Sequence, residues 1–524
     1  MIVDDNRKRA GLNLWISPKP TSKSAIALCF EARSFRVTYN FMHTSTTRDI
    51  KQIPRGLAVT GRIKNWLACP TGRLPVSCTV FVVEDSMDET PDSIEASWIY
   101  TSYGLRYGAG VAVHLSKIRP KGASNQHGLV ASGPTSFAQI YSMLCDILRR
   151  GGLYKKGAIT LHLDYDHPDI LEFILAPRTL LPWAKRCVNV DRDVLKSPHL
   201  NEILKGVAGG TLFLVKKQYD GQGERIYHNV CLEVLLKSRG TCLLSHVNLG
   251  LIKISELVDV FTQAMDWLCS LHAISGAVIS SDDKCRYLSP AEDRQVGLGV
   301  LGLANLLAIE GIKYEEFVPA LEFVTGLSAR YRETLSPAAL ELANTLRQAY
   351  AAAAEVARSY NMERAFVIAP TASCSFEQYD RQGWTTAPEI APPVSHQVER
   401  DSDVEELTRA DYHPDVEIAI DVGFDLHFRL NAAWQALMDE TGLAHAISTN
   451  WWSDVVVMDE ELLERWLDSP MKSLYYAWRV RPNVQDKSTI VTPESLGYEG
   501  EAEAKAEALT PACSLEEDCT ACAE

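Results

Sequence analysis

Hydrophobic side chains recur at helical spacing in one stretch of the chain and alternate with polar ones in the next. Apolar residues at positions 137, 140, 144, 147 and 148 share one face, which predicts a helix. That helix is expected to end at the basic pair Arg149–Arg150 and the two glycines that follow it. In 159–164, apolar and polar residues alternate, which is typical of a strand. Segments 80–83 and 211–215 predict two further strands.

A longer helix-to-strand unit lies in the second half of the chain. Ser336 is a good N-cap and Pro337 fits the first turn, so a helix is predicted from there to about residue 360. It leads into an apolar strand at 365–369 and then into the turn 370–375. Helices that alternate with apolar strands indicate an α/β fold with much parallel sheet.

Composition is ordinary for a globular enzyme. The chain has 524 residues, of which 46% are hydrophobic and 23% charged, with a formal net charge of −15. A nucleic-acid-binding protein would show a basic stripe. The longest weakly polar stretch, 296–311, is too short to span a bilayer. The first residues carry charges but no apolar run, so no secretory signal is expected. We therefore expect a cytoplasmic protein with no nucleic-acid or membrane partner.

The cysteines change this picture. There are 13 of them, an odd number spread over a long chain, which argues against a secreted disulfide framework. In a reducing compartment, cysteines outside the core are more often catalytic, redox-active or metal-binding.

The string from Asn229 through Cys231 to Glu233 is the strongest candidate site. On an extended segment, alternation puts the amide, the thiol and the carboxylate on one side. The carboxylate raises the pKa of the thiol, so a nucleophilic cysteine with a histidine base is disfavoured, although His228 is adjacent. A thiol can also donate a hydrogen atom, and its radical can abstract one. The other interpretation is a half-buried strand with incidental polar residues.

A second candidate is the pair Cys519 and Cys522 in an acidic tail that begins after about residue 487. The tail is expected to be a mobile linker. Its CxxC can act as a dithiol that reaches another site on its tether. The alternatives are half of a zinc site, for which only Cys513 is close by, and an incidental pair.

Three weaker signals complete the inventory. Adjacent Tyr475 and Tyr476 are either ordinary aromatic residues or stepping stones for an electron hole. The turn at 370–373 is either a plain β-turn or a phosphate cradle, if a helix begins there. The glycines of 297–302 match GxGxxG, but no strand is predicted before them, so we assign them to close helix packing.

Taken together, these strings resemble the large, catalytic subunit of class I ribonucleotide reductase. The resemblance covers most of 71–487 and the terminal tail. The matching elements are the finger loop with Asn229, Cys231 and Glu233; the two redox cysteines Cys78 and Cys242; the substrate contacts Ser77, Pro370, Thr371, Ala372 and Ser373; the radical-transfer pair Tyr475 and Tyr476; and the re-reducing dithiol Cys519 and Cys522.

The resemblance implies a fold and a mechanism. The fold is a ten-stranded α/β barrel of two parallel five-stranded halves, with the finger loop threaded through its centre. In the mechanism, a thiyl radical on Cys231 takes the 3′ hydrogen of a ribonucleotide, while Glu233 is the general base and Asn229 holds the ribose hydroxyls. Cys78 and Cys242 supply two electrons and close a disulfide.

The resemblance also implies partners. A small subunit that carries a metal-generated radical would oxidise the tyrosine pair, so no cofactor or metal is expected in this chain. Thioredoxin or glutaredoxin would reduce the tail dithiol, and a homodimer of this chain is expected. Deoxynucleotides and ATP would act as allosteric effectors. The expected effector contacts are Asp85, Arg119, Arg150, Lys155 and Lys156.

Three segments follow from these assignments. Residues 1–70 are expected to be a compact, helical N-terminal segment without an ATP-binding cone, because only 77 residues precede Cys78. Residues 71–487 would form the catalytic barrel and 488–524 the flexible tail. The compression suggests a phage-encoded form, which would then act in the host cytoplasm.

Two other functions stay open at this point. A class II enzyme, which uses adenosylcobalamin, would share the finger loop and often the terminal CxxC, but it does not need the tyrosine pair. A non-catalytic regulatory homologue would not need both redox cysteines and the tail. Class I members typically take diphosphates, so a diphosphate substrate is expected.

Overall fold

The structure is a computed structural model, and it describes residues 50–68, 75–125, 128–148, 157–280, 287–289, 291–328, 334–402, 405–453, 458–474 and 476–479. All of these belong to one compact unit that begins at Ile50.

One sheet has six strands in the order β17-β6-β5-β4-β3-β2. Strands β2 to β6 run parallel, and β17 is antiparallel to β6. Successive parallel strands are joined by crossover connections, which parallel pairing requires, and most of these connections contain a helix. The bounds are β2 Cys78–Val82, β3 Gly110–His114, β4 Ile159–Asp164, β5 Lys185–Val190, β6 Phe213–Lys216 and β17 Ser473–Leu474.

The other large sheet has five strands in the order β1-β10-β11-β12-β15. Four of them are parallel, and β1 pairs antiparallel with β10. The bounds are β1 Leu57–Val59, β10 Leu244–Asn248, β11 Gln295–Leu301, β12 Arg364–Ile368 and β15 Ala444–Ile447. Strand β1 lies N-terminal to the expected segment boundary at residue 71, and it is part of this sheet.

Three small sheets and thirteen α-helices complete the described part of the chain. The small sheets are β7 Gln218–Tyr219, β8 Arg225–His228 and β9 Leu235–Leu236; β13 Gln397–Ser402 and β14 Glu405–Asp411; and β16 Asn450–Ser453 and β18 Tyr476–Arg479. The helices are α1 Gly61–Ala68, α2 Ile94–Tyr107, α3 Pro134–Ile147, α4 Ile170–Leu175, α5 Leu200–Ala208, α6 Leu257–Ser280, α7 Leu303–Glu310, α8 Tyr314–Val324, α9 Pro337–Ser359, α10 Ala372–Phe376, α11 Ala419–Val422, α12 Phe424–Asp439 and α13 Glu460–Asp468.

The side chains of the strands divide into separate cores because they point alternately to opposite faces. On β2, Phe81 packs with the helices outside the six-stranded sheet. Cys78, Val80 and Val82 instead join an inner cluster, which we call the inner core. The inner core also holds Val367 of the five-stranded sheet, so it lies between the two sheets.

The two large sheets approach each other along two seams. At one seam, Thr79 forms an isolated antiparallel bridge with Thr241, and the Cys242 amide donates to the Cys78 carbonyl at 3.1 Å. At the other seam, the Ser473 hydroxyl donates to the Ile447 carbonyl and Thr449 donates to the Ser473 carbonyl. The predicted α/β fold with two sheets around a central loop is confirmed, although the strands number six and five.

The helix and strand predictions hold at 134–147, 159–164 and 337–359. The assignment of the glycines to helix packing was wrong, because Gly297 and Gly299 lie inside the central strand β11. A Cβ on Gly299 would lie 2.7 Å from the Val367 carbonyl oxygen, so the tight spacing of β11 and β12 requires glycine there.

Candidate active site

The string from Asn229 to Glu233 forms a turn between β8 and β9. These two strands are antiparallel, with His228 opposite Leu235. The chain reverses within the string, where Leu232 has a φ of +71° and its amide donates to the Asn229 carbonyl at 3.3 Å. The expectation of an extended segment was therefore wrong, since a short connection between antiparallel strands has to fold back on itself. We call residues 229–234 the finger turn.

The finger turn is hydrogen-bonded to both large sheets. On the side of the six-stranded sheet, the Thr160 hydroxyl donates to the Val230 carbonyl at 2.9 Å. On the side of the five-stranded sheet, the Ala446 amide donates to the Glu233 carbonyl at 2.7 Å. Such anchors on opposite sides hold the turn in the space between the sheets.

The turn brings together the amide and the carboxylate that alternation was expected to align. Asn229 Nδ2 donates to Glu233 Oε1 at 3.0 Å, and the Val234 amide donates to Asn229 Oδ1 at 3.1 Å. Cys231 lies in the same turn and is 1% exposed. Asn229 is thus oriented by the backbone and presents its N–H to the carboxylate.

His228 holds the base of the finger turn through both nitrogens of its ring. Its Nδ1 lies 2.5 Å from the Leu232 carbonyl oxygen and its Nε2 lies 3.2 Å from the Lys216 carbonyl oxygen. Burial lowers the pKa of His228 to about 4, although both carbonyls favour the charged ring. A ring held between two carbonyls positions the turn and is not directed at the Cys231 thiol.

Cys78 and Cys242 face each other across one seam of the sheets. The Cys78 amide donates to Cys242 Sγ at 3.1 Å, and both cysteines are thiols in the inner core that also contains Cys231. Burial raises the pKa of the Cys242 thiol well above its usual value, and Cys78 and Glu233 add to the shift. The Cys242 sulfur therefore keeps its proton at neutral pH.

The expected phosphate loop does lead into a helix, α10, which follows Thr371. However, the Thr371 amide and hydroxyl both donate to Glu389 Oε1, at 2.6 and 3.3 Å. Glu389 has a φ of +48°, and its own amide donates to the Thr371 hydroxyl at 2.9 Å. The Glu389 carboxylate thus accepts the Thr371 backbone amide, which an incoming substrate phosphate would use as a donor. Ser77, the other expected substrate contact, is buried beside the Cys242 carbonyl, to which its amide donates at 3.3 Å.

Two expected effector contacts pair with each other. Arg119 donates to Asp85 through its backbone amide at 3.1 Å and through Nε at 2.7 Å. Both side chains are about one-third exposed, so they remain accessible to a ligand.

Several expected site residues lie outside the described ranges. These are Arg150, Lys155, Lys156, Tyr475, Cys519 and Cys522. The backbone of Tyr476 is described, and it pairs with Asn450 in the β16–β18 sheet.

Among the described residues, no group of three or more His, Cys, Asp or Glu side chains could hold a metal ion. Over the same residues, no helix combines the length and apolar character that crossing a bilayer requires.

Three contributors to the site were missed by sequence reasoning. Glu389 and Thr160 reach the site from distant strands and loops, and nothing near them in the sequence marks a role. Asp293 accepts the Thr241 amide immediately before Cys242. The sequence shows an acidic residue just before a strand, but the tertiary contacts are needed to show that Asp293 bonds to the residue before Cys242.

Sequence comparison gives the first assignment of this architecture. Residues 76–191 match the family described as "Ribonucleotide reductase, barrel domain". A vitamin B12-dependent ribonucleoside-diphosphate reductase of Mycobacterium tuberculosis is 29% identical over 318 residues, which cover 52% of this chain and 44% of that protein. An enzyme with the same description from Thermoplasma acidophilum is 35% identical over 286 residues, 46% of this chain and 36% of that protein. The chain thus spans less than half the length of these curated relatives.

The fold comparison agrees with this assignment. The Actinobacillus ureae class Id ribonucleotide reductase alpha subunit matches with a TM-score of 0.61 and 18% identity, covering 82% of this chain and 88% of that one. Two mainly parallel sheets around a cysteine-bearing turn are thus a fold that this chain shares with a ribonucleotide reductase alpha subunit. Within that fold, residues 76–191 match the ribonucleotide reductase barrel domain.

Proposed function

We propose that this chain reduces ribonucleotides to 2′-deoxyribonucleotides by radical chemistry at Cys231. The observation that carries the proposal is the arrangement of the finger turn. Asn229 and Glu233 are in contact at 3.0 Å, and Cys231 shares the inner core with Cys78 and Cys242. Few other reactions need an amide, a carboxylate and three thiols in one buried space.

The finger turn supplies the groups for activating the ribose. The Cys231 thiyl takes the hydrogen atom from C3′, and Glu233 accepts the proton of the 3′ hydroxyl. Asn229 orients the ribose hydroxyls with the N–H that now points at Glu233. Since Glu233 is 1% exposed, its carboxylate acts in a water-poor space where proton transfer from a bound hydroxyl to the carboxylate is favoured.

Cys78 and Cys242 supply the reducing equivalents. One of these thiols gives its proton to the 2′ hydroxyl, which leaves as water. The pair then gives two electrons and a second proton to the substrate as it closes a disulfide, and Glu233 returns its proton to the 3′ oxygen. Cys231 returns a hydrogen atom to C3′ and recovers its radical. One ribonucleotide and one dithiol thus become one deoxyribonucleotide, one disulfide and one water.

Substrate binding and recycling are assigned to the remaining residues. Ser77 and the loop from Pro370 to Ser373 hold the substrate phosphates, and a diphosphate agrees with the names of the curated relatives. The tail dithiol of Cys519 and Cys522 re-reduces the Cys78–Cys242 disulfide and is itself reduced by thioredoxin or glutaredoxin. Deoxynucleotide or ATP effectors bind near Asp85 and Arg119 and through Arg150, Lys155 and Lys156, in a homodimer of this chain.

The first candidate for the radical source is a partner subunit that carries a metal-generated radical. The adjacent Tyr475 and Tyr476 support it, as does the likeness to a class Id alpha subunit. The second candidate is adenosylcobalamin, which is favoured by the vitamin B12-dependent relatives. In either case the acceptor of the radical in this chain is Cys231.

The test is an assay of deoxyribonucleotide formation from the four ribonucleoside diphosphates with dithiol reductant. The chain is assayed with candidate radical subunits and, separately, with adenosylcobalamin. Turnover that needs a radical subunit supports the first source, and turnover of the isolated chain with adenosylcobalamin supports the second. Full turnover by Cys231→Ser under either condition would refute the radical role of Cys231.

A further inference from the structure

Behind the redox cysteines lies a buried row of polar side chains that the mechanism does not use. Asp293 Oδ2 accepts both the amide of Thr241, at 2.6 Å, and its hydroxyl, at 2.8 Å. Asp293 Oδ1 accepts the side-chain amide of Gln295. Arg364 Nε in turn contacts Gln295 Oε1 at 3.2 Å and the Leu235 carbonyl at 3.0 Å.

This row connects the two parts of the site that must act together. Thr241 immediately precedes Cys242, and Leu235 immediately follows the finger turn. Gln295 and Arg364 are opposite each other at the starts of β11 and β12, which fixes the row in the sheet. We call Thr241, Asp293, Gln295, Arg364 and Leu235 the polar row.

The segment before Cys242 depends on the polar row for its position. Residues 240–242 belong to no named strand, and they meet the six-stranded sheet at the Thr79–Thr241 bridge and at hydrogen bonds to Cys78 and Thr79. Gly240 packs so closely that a Cβ there would lie 3.1 Å from Gln295 Nε2 and 3.2 Å from Asp293 Oδ1. Small movements of Asp293 are therefore transmitted to the Cys242 backbone.

A buried carboxylate is costly unless its oxygens are fully hydrogen-bonded, and a charged acceptor makes stronger bonds than a neutral one. Asp293 is 3% exposed and accepts three hydrogen bonds, two of them from the residue next to Cys242. The main role of the Asp293 carboxylate is thus to hold the segment that contains Thr241 in place.

We propose that Asp293 is a positioning residue for the redox pair, and that the polar row ties the placement of Cys242 to that of the finger turn. This inference rests on the proposed function of the site. A fixed Cys242 segment keeps the two sulfurs at a high effective concentration, which favours the disulfide that forms during turnover. Loosening the segment lowers that effective concentration.

The matched experiment moves the negative charge from position 293 to position 295 of the polar row. In Asp293→Asn, the Asn can accept from Thr241, but its NH2 group then faces the NH2 group of Gln295. If Gln295 turns over, its NH2 group faces Arg364 Nε instead. In the double variant Asp293→Asn/Gln295→Glu, Asn donates to Glu and Arg364 donates to Glu. Every donor again has an acceptor, and the net charge is that of the parent.

The first measurement is the equilibrium of the Cys78–Cys242 disulfide with a dithiothreitol redox buffer, read by differential alkylation and mass spectrometry of the two peptides. For Asp293→Asn we expect the disulfide to be at least tenfold less favoured, which is about 30 mV for a two-electron couple. The double variant should return to within about threefold of the parent. A merely structural role would lower the unfolding temperature without this reciprocal rescue.

The second measurement is single-turnover formation of deoxynucleotide by the pre-reduced enzyme without external reductant. We expect a loss of about tenfold in rate for Asp293→Asn and recovery in the double variant. A disulfide equilibrium within twofold of the parent in folded Asp293→Asn, or no recovery in the double variant, would overturn the proposal. If Asp293→Asn does not fold, Thr241→Val removes one of the two Thr241 bonds, and an unchanged equilibrium in that variant would overturn it as well.

The disulfide equilibrium needs no radical source and no substrate. It therefore separates failure of this inference from failure of the proposed function, which would appear as an inactive parent chain.

Discussion

Asn229 and Glu233 are joined by a hydrogen bond of 3.0 Å, which the side-chain amide of Asn229 donates to the Glu233 carboxylate. The bond exists because the chain turns between them. Asn229 Oδ1 already accepts from the backbone amide of Val234, so the direction of the side-chain amide is fixed. A substrate hydroxyl placed between the two groups would meet a donor on one side and a base on the other.

Replacing Glu233 with Gln should therefore remove the base while keeping the shape of the turn. We expect kcat to fall by roughly 10²- to 10⁴-fold, which is the usual contribution of a general base. The substrate KM should change little, because Gln can still accept a hydrogen bond from Asn229. Rates are measured as deoxynucleotide formed at saturating substrate, and Glu89→Gln, an exposed site, is the control. A loss of less than threefold would contradict the role of Glu233.

Replacing Cys231 with Ser should abolish turnover, because an alcohol O–H is too strong a bond to carry the radical. Cys269 on α6 is a matched control, since it is also a fully buried thiol but lies outside the inner core. Cys269→Ala should keep at least half of the parent rate. Unfolding midpoints are measured for both variants, so that loss of activity can be separated from loss of fold.

Removing the charge of Glu389 should help a phosphate-bearing substrate to bind. At an effective dielectric constant of ~20, two unit charges ~6 Å apart repel by about 3 kcal/mol. Gln at this position can still accept the Thr371 amide, so the loop should be retained. We expect the substrate Kd to fall by up to about a hundredfold in Glu389→Gln, since each 1.4 kcal/mol is about a factor of ten, and we measure it by equilibrium dialysis. Glu377→Gln, at the end of α10, is the control. Weaker binding by Glu389→Gln would show that the carboxylate is needed in the bound state.

The fold should become unstable in mild acid because of its buried histidines. Burial lowers the pKa of His162 and His246 to about 3 and that of His228, His272 and His427 to about 4. The unfolded chain binds these protons near pH 6.5, so the folded state loses stability as the pH falls from about 6.5 toward about 4.

As the pH falls through this window, each of the five histidines lowers the free energy of unfolding by about 1.4 kcal/mol per pH unit. Together they lower it by roughly 7 kcal/mol per pH unit, and the total stability of a typical protein is about 5–15 kcal/mol. Asp293 acts in the opposite direction, since burial raises its pKa to about 6 and its protonation favours the folded state. We expect unfolding by roughly pH 5, measured by urea titration at a series of pH values. A free energy of unfolding that stays constant from about pH 7 to about pH 5 would contradict this prediction.

Gly299 should tolerate no side chain. In Gly299→Ala, the new Cβ would lie 2.7 Å from a backbone carbonyl of β12, and a backbone atom cannot move aside as a side chain can. Overpacking of a core costs about 1–3 kcal/mol, and the central strand puts this site at the upper end. Gly221→Ala is the control, because nothing lies within 4 Å of a Cβ there. Equal unfolding midpoints for the two variants would contradict the close spacing of β11 and β12.

The local elements and the identity of the reacting groups could be read from the sequence. Alternation marked 159–164 as a strand and helical spacing marked a helix at 137–148. The resemblance of the strings around Cys78, Asn229, Cys231, Glu233 and Cys242 to a known family pointed to one kind of chemistry. These features depend on neighbours in the chain, so a pattern of residues can carry them.

How the reacting groups are held follows from contacts that form in the folded chain. The segment from Asn229 to Glu233 turns because Thr160 and Ala446, from two different sheets, hold it there. Glu389 reaches Thr371, and Asp293 reaches Thr241, across long separations in sequence. The energy of such contacts comes from burying and pairing polar groups that only the folded chain brings together, and no local pattern records it.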